Sequence, residues 1–236
     1  MTNFTKACID ANREIYLAIK DGIAPKFFKK GDIGVGGDIS SALDLFAESI
    51  FVKYLSSFGR IESEESGIIG EGQSHIIIDP IDGSSNALSL FPYYGTSIAK
   101  LNSDGILDSA IVTNLANGDI FIKELNKELY IGKIFQDNFK RANIVSNNEI
   151  GIFEKSYNYP KLSSLLIDEG LKFRTPGAIA LSLAYARSVS YVVFIGEFRI
   201  YDFAAGLALC EGLEVIVEAD YVIVSKDKSI AKKIKC

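Results

Sequence analysis

His75-Ile-Ile-Ile-Asp79-Pro-Ile-Asp82-Gly83-Ser84-Ser85-Asn86 sets a short apolar run against two aspartates and a small-residue turn. A wholly apolar run of this length predicts a buried strand, and Asp-Pro predicts that it stops abruptly. A strand end fixes its carboxylates rigidly. The Gly-Ser-Ser-Asn turn can open a helix whose free N–H groups face an incoming anion. Such a geometry binds a hard cation and a phosphate side by side. Read alone, the same residues also describe a plain strand and turn, with Asp82-Gly83 as a tight bend.

Two other acidic stretches bear on that choice. Glu62-Ser-Glu64-Glu65-Ser66 lies about 15 residues upstream, a distance that suits an antiparallel neighbour of the 75–79 strand. By itself it reads as a solvated loop. Downstream, Arg199-Ile-Tyr201-Asp202-Phe-Ala-Ala-Gly206 puts an aspartate in the first turn of a helix of small residues, where a helix N-cap is the ordinary reading.

Further out, residues 4–20 carry Phe4, Ala7, Cys8, Ala11, Ile15, Ala18 and Ile19 on one stripe at helical spacing, stopped by Gly22 and Pro25. Residues 29–37 (KKGDIGVGG) lack periodicity and predict a mobile loop. A second helix is expected from Asp38 or Ser40, turning Leu43, Phe46, Ala47, Ile50, Phe51 and Tyr54 inward. Gly95–Leu101, Leu107–Thr113 and Asp119–Lys123 are split by Asn-Ser-Asp-Gly and Asn-Gly, the signals of an antiparallel meander. Residues 124–150 read as edge strand and linker. Helices are expected within Phe153–Gly170, Ala178–Arg187 and Asp202–Glu211, strands at Tyr191–Ile195, Val215–Glu218 and Tyr221–Ser225, and a closing helix over Ser229–Lys235. Helices alternating with sheets place the chain in the α/β or α+β class, with an N-terminal α+β lobe over 1–140 and a C-terminal α/β lobe over 141–236.

The composition narrows the chemistry. The chain has 236 residues, 48% of them hydrophobic, enough to bury a core. Its net charge of −5 argues against binding nucleic acid through a basic surface. The single histidine, His75, rules out a zinc site with two histidines from one chain. Carboxylates are left to carry the chemistry. Cys8, Cys210 and Cys236 form no C-x-x-C pair, which predicts a reducing, cytoplasmic setting. The N-terminus has no apolar signal region, and no apolar stretch is long enough to span a membrane.

Taken together, D-P-I-D-G-S-S-N at 79–86, I-E-S-E-E-S at 61–66 and Y-D-F-A-A-G at 201–206 resemble, in order and spacing, the inositol monophosphatase superfamily, which includes the archaeal-type fructose-1,6-bisphosphatases. The Asp38…Asp44 pair, Arg174-x-x-Gly177-Ala178-Ile-Ala-Leu181 and Phe91-Pro92…Ser97-Ile98-Ala99 extend the resemblance over most of the chain. It implies a layered αβαβα sandwich. It also implies a phosphomonoesterase that uses two or three Mg²⁺ ions on small sugar or polyol phosphates, such as inositol 1-phosphate or fructose 1,6-bisphosphate, and commonly a homodimer. By the same resemblance Glu64, Asp79 and the Ile81 carbonyl would serve one ion and Asp79, Asp82 and Asp202 a second, with Asp44 near a third. Glu64 and Ser84 would orient a water, and Asp82, Gly83, Ser84, Ser85, Gly177 and Ala178 would meet the substrate.

Other assignments remain beside this one. Haloacid-dehalogenase-type phosphatases pair their aspartates as Asp-x-Asp, whereas Asp79-x-x-Asp82 swings the second carboxylate to another side of the turn. A 3′-phosphoadenosine-type nucleotidase of the same superfamily would need more chain around a base. A silent metal- or phosphometabolite-binding protein has no use for a water-orienting Glu64. Departures from the family pattern fall on the substrate side. They are Ser84 for Thr, Tyr201 for Trp, Ile195 where a sugar-binding Glu is usual, with Glu197 the nearest acid, and Glu211-Gly-Leu-Glu after the last helix. Arg199 could meet a second phosphate or a ring hydroxyl, or be an exposed loop arginine. Lys29 and Lys30 could help neutralise phosphate or be solvated. His75 is expected to be structural.

Overall fold

In the computed structural model, which describes residues 1–145 and 149–234, the chain opens with helix α1 (Asn3–Ile19). Thr2 caps it by accepting the Thr5 N–H, and Phe4, Cys8, Ala11, Ile15 and Ile19 are buried along one stripe, with Ala18 left exposed. Within the stretch expected as a mobile loop lies β1 (Lys30–Ile33), which pairs in a hairpin with β2 (Ile39–Ser41), where the second helix was expected to begin. All of β1 is exposed, so no face is buried and no alternation was there to read. Helix α2 (Ala42–Leu55) starts later than Asp38 or Ser40. Its N-cap is Ser41, joined to Asp44 in a reciprocal capping box.

The first sheet has eight strands. They are β3 (Arg60–Ser63), β4 (Gly67–Ile69), β5 (His75–Asp82), β6 (Gly95–Leu101), β7 (Leu107–Asn114), β8 (Asp119–Glu124), β9 (Tyr130–Lys133) and β10 (Lys140–Arg141). Their order is β10-β9-β8-β7-β6-β5-β3-β4. In β5, Ile76 and Ile78 pack with α1 and α2, while Ile77 packs on the opposite face, which is why the run is apolar throughout. The strand does not stop at Asp79-Pro80 as expected. It continues to Asp82 through an irregularity in its pairing with β6. The 62–66 stretch is also not an antiparallel neighbour: β3 runs parallel to β5, with Glu62 opposite Ile77 and Ser63 opposite Ile78. The short β4 takes the antiparallel place on the other side of β3, and the chain then returns to start β5 level with Arg60.

After helix α3 (Ser84–Leu88) and the meander, the chain enters a five-stranded sheet of order β12-β11-β13-β15-β14. Its elements in chain order are β11 (Gly151–Phe153), α4 (Pro160–Asp168), β12 (Phe173–Arg174), α5 (Ile179–Ala184), β13 (Tyr191–Ile195), α6 (Ile200–Leu209), β14 (Glu214–Val217), β15 (Tyr221–Ser225) and α7 (Lys228–Ile234). The helix expected within 153–170 is therefore confined to α4, and the one expected over 178–187 to the short α5. Lys235, Cys236 and part of the 124–150 linker lie outside the described residues. Four apolar clusters sit between successive layers: α1 and α2, the first sheet, α5 and α6, the second sheet, then α4 and α7. This is a layered αβαβα sandwich.

Helices α5 and α6 fill the middle layer, and Gly206 is where they touch. A Cβ there would stand 2.7 Å from Leu183 Cδ1 and 2.9 Å from Leu183 Cβ. Gly206→Ala is expected to lower the unfolding free energy by about 1–3 kcal/mol through overpacking, read from urea denaturation. An unchanged midpoint would show that the two helices are not packed this tightly.

Candidate active site

The middle of the site is the end of β5. Asp79 and Asp82 are both buried there, each 3% exposed, and the pairing irregularity between them turns the chain inward. Gly83 follows with φ 84°, a left-handed conformation, and an added Cβ would stand 3.0 Å from Ala178 Cβ. Both facts favour glycine. Parallel pairing puts the ends of β3 and β5 side by side: the Glu64 N–H donates to the Ile78 carbonyl at 3.2 Å, next to Asp79. From the middle layer, α6 brings Asp202 in its first turn. Carboxylate oxygens of Glu64, Asp79 and Asp202 lie within 4.8 Å of one another, and all three residues are buried. Asp82 stands beside this triplet, with its Oδ2 accepting the Leu181 N–H of α5 at 2.7 Å. That bond ties the first sheet to the middle layer at the site itself.

These groups line a cavity of about 490 Å³. Ile81, Gly83, Ser84, Ser85 and Gly177 line it as well. Asp44 reaches it from α2: its Oδ2 accepts the Ser41 N–H at 2.6 Å, and its Oδ1 is buried with no partner. Ala178 is buried behind Gly83 and is not part of the lining. Neither are Lys29, Lys30, Ile195 or Glu197. His75 stands 2.6 Å from Glu62 at the other end of β5, a structural position.

Burial drives the electrostatics. It pushes Glu64 up to about 7, against the pull of Arg199 and with repulsion from Asp202. Glu65 is also pushed up to about 7, by burial first, while its bond from Ser40 pulls the other way. Asp79 and Asp82 rise well above the usual carboxylate range, by burial and then by repulsion from the acids around them. Asp202 is raised by burial and partly held down by Arg199. That arginine is not an exposed loop residue. Its Nη1 donates to Glu64 Oε1 at 2.7 Å and Asp38 Oδ2 at 2.6 Å, and its Nε donates to Asp202 Oδ2 at 2.9 Å. One guanidinium is thus shared by three carboxylates. Convergent hard oxygens, raised affinities for protons and an orphaned Asp44 oxygen make a donor set suited to divalent cations of the Mg²⁺ type.

Several cavity residues escaped the sequence reading. Glu154 is 1% exposed and accepts the Gly177 N–H at 2.8 Å and the Ser182 hydroxyl at 2.5 Å, so it shapes the Gly177 turn. The available signal was an acid directly after the apolar Gly151-Ile-Phe run, hidden once that segment was read as helix. Asn86 Nδ2 donates to the carbonyls of Tyr93 at 2.7 Å and Pro176 at 2.6 Å, holding the turn after β5 against that same loop. Lys155 and Tyr157 also line the cavity, with no motif to announce them.

Comparison with known proteins adds an independent line. The family model described as "Inositol monophosphatase family" matches residues 1–217. A fructose-1,6-bisphosphatase/inositol-1-monophosphatase of Methanothermobacter thermautotrophicus is 29% identical over 199 residues, covering 76% of this chain and 70% of that protein. A bifunctional NADP phosphatase/NAD kinase of Methanococcus maripaludis is 24% identical over 222 residues, 83% of this chain but only 38% of that longer protein. Among solved structures, an inositol monophosphatase–fructose 1,6-bisphosphatase superposes with a TM-score of 0.81 at 21% identity, covering 99% of this chain and 98% of that one.

The raised carboxyls carry a pH signature. Glu64 and Glu65, ordinarily near 4.5, hold their protons up to about 7 in the folded chain. Their contribution to stability is full below pH 4.5 and is lost as the pH rises through 7. The melting temperature of EDTA-treated protein is expected to fall across that window relative to protein saturated with Mg²⁺, so that the gap between the two series widens with pH. A constant gap would contradict the clustering of these acids around a cation site.

Proposed function

The chain belongs to the inositol monophosphatase family and is a metal-dependent phosphatase, and from that premise we propose that it hydrolyses small sugar or polyol phosphates with two or three Mg²⁺ ions. Inositol 1-phosphate and fructose 1,6-bisphosphate are the substrates proposed, in keeping with the names of relatives such as the Methanothermobacter enzyme. The observation that carries the reading is the convergence of Glu64, Asp79 and Asp202 within 4.8 Å, with Asp82 alongside.

In this reading Glu64, Asp79 and the Ile81 carbonyl hold one ion, Asp79, Asp82 and Asp202 a second, and Asp44 lies near a third. Bound there, the ions would neutralise the cluster, polarise the attacking water and screen the charge that grows on the leaving oxygen. The residues of the chain do the positioning. The Glu64 carboxylate and the Ser84 hydroxyl orient the water in line with the scissile bond. Backbone N–H groups of Gly83, Ser84 and Ser85 take the phosphate oxygens, and Gly177 borders the sugar. Hydrolysis is direct, because the carboxylates serve as ligands and none is spent as a nucleophile. Arg199, already facing Glu64 and Asp202, becomes available to a substrate phosphate or hydroxyl. The protein is proposed to act in the cytoplasm as a homodimer.

A second substrate class is favoured by one observation: a relative that matches over 83% of this chain bears the name NADP phosphatase/NAD kinase. Phosphorylated adenosine nucleotides therefore belong on the panel, 3′-phosphoadenosine compounds among them.

Phosphate release from sugar, polyol and nucleotide phosphates, with and without Mg²⁺, tests the proposal. Release is expected from the sugar or polyol esters only with the cation present, and EDTA should abolish it. Silence across the panel with Mg²⁺ bound would leave a binding protein, and activity retained in EDTA would overturn the mechanism. Asp82→Asn should lower turnover by about 100-fold or more while the protein stays folded by circular dichroism. Near-normal turnover would remove Asp82 from the site.

A further inference from the structure

Helices α5 and α6 run from the carboxylate cluster to a second cavity of about 490 Å³. At 1.5 Å per residue, the stretch from Asp202 to the end of α6 spans on the order of 10 Å. Past that end lies Glu211, and Arg187 follows the end of α5. Facing them from the first sheet are Lys123 on β8, Lys127 and Glu128 in the turn to β9, and Arg141 on β10. Four cations thus meet two carboxylates, in a chain whose net charge is −5.

The internal pairing does not use all of this charge. Lys123 pairs with Glu211, and Lys127 pairs with the buried Glu124 outside the lining. Arg141 Nη2 meets Glu128 Oε1 at 2.9 Å, but both side chains are more than half exposed, so the pair is weak. Arg187 has no ion pair among the described residues. Its Nη2 donates to the Glu211 backbone carbonyl, and its Nε–H is buried with no acceptor. Among the described residues the Arg187 charge is balanced by no carboxylate and its only acceptor is a neutral carbonyl, so an anion in the cavity would compensate it through the Nη groups, the buried Nε being out of reach. The planar guanidinium fork matches the oxygens of a phosphoryl group, and the cavity is large enough for a small molecule that carries one.

We propose that this cavity is a binding site for a phosphorylated small-molecule anion, with Arg187 as its principal contact and Lys127 and Arg141 as flanking cations. The site joins the first sheet to the far ends of the two helices whose near ends carry Asp202 and the Leu181 bond to Asp82. It stands apart from the catalytic cavity and shares no lining residue with it.

Arginine Nε–Hε resonances, recorded on the Mg²⁺-loaded protein during titration with inorganic phosphate, test this site directly. Arg187→Lys identifies the Arg187 signal by its loss, and Arg199 reports separately on phosphate in the catalytic cavity. The Arg187 resonance is expected to move saturably. Its midpoint should rise roughly tenfold in a Lys127→Gln/Arg141→Gln variant and roughly threefold in Arg141→Gln alone, which keeps the Lys127–Glu124 pair and so leaves the buried Glu124 undisturbed. The proposal is overturned if only Arg199 moves, if Arg187 does not saturate, or if its midpoint is the same in the double variant.

Discussion

Carboxylates on Glu64, Asp79, Asp82 and Asp202 are carried to one place by three different elements, and like charges withdrawn from water repel one another. Left alone, such a cluster takes up protons: burial first, and for Glu64, Asp79 and Asp82 repulsion among these acids as well, raises the proton affinity of all four. Cations resolve the repulsion without protons. Within the chain Arg199 supplies one positive charge to Glu64, Asp202 and Asp38. Divalent ions supply more charge in less space, and they leave room for a phosphate to approach.

The layers of the fold serve that convergence. Parallel pairing of β3 with β5 brings both strands to their C-terminal ends together, so Glu64 and Asp79 become neighbours although 15 positions separate them. Past the break in β5 pairing, Asp82 accepts a backbone N–H from α5. Close packing at Gly206 fixes α6 against α5, and with it the height of Asp202 in the cluster. Asn86 holds the loop at Pro176 to the turn after β5, and Glu154 ties Gly177 to Ser182 of α5.

Asp79 and Asp82 were legible because they end a strongly patterned strand, whereas Glu64 and Asp202, which alone read as a solvated loop and a helix N-cap, were assigned to the site only through the family resemblance. The isoleucines of β5, the small-residue helix after Asp202 and the hairpin turns of the meander are all local signals, and the structure has each of them. The direction of β3 was not legible. Spacing between two strands does not reveal whether a third, three-residue strand turns back between them, and an antiparallel neighbour would have carried Glu64 away from Asp79. The β1–β2 hairpin escaped because β1 is wholly exposed and β2 is only three residues long, which leaves no periodicity in the sequence. Glu154 and Lys155 escaped for a different reason: strand β11 has three residues, too few to show a pattern. Arg199 was read as a substrate contact or a loose loop residue. Its three carboxylate partners come from positions 38, 64 and 202, a coincidence only the fold creates.

The acid excess of the sequence therefore has a definite place. Much of what makes the chain −5 by formal count is scattered over the surface, but the acids that matter are few, buried and mutually repelling. Equilibrium binding of Mn²⁺, followed by its electron paramagnetic resonance signal, measures whether that cluster is a cation site. The wild-type chain should take up at least two ions saturably, and Asp79→Asn, which touches both proposed ion positions, should lose them together. Wild-type protein that binds no Mn²⁺ saturably, or an Asp79→Asn variant that binds it undiminished, would contradict the account.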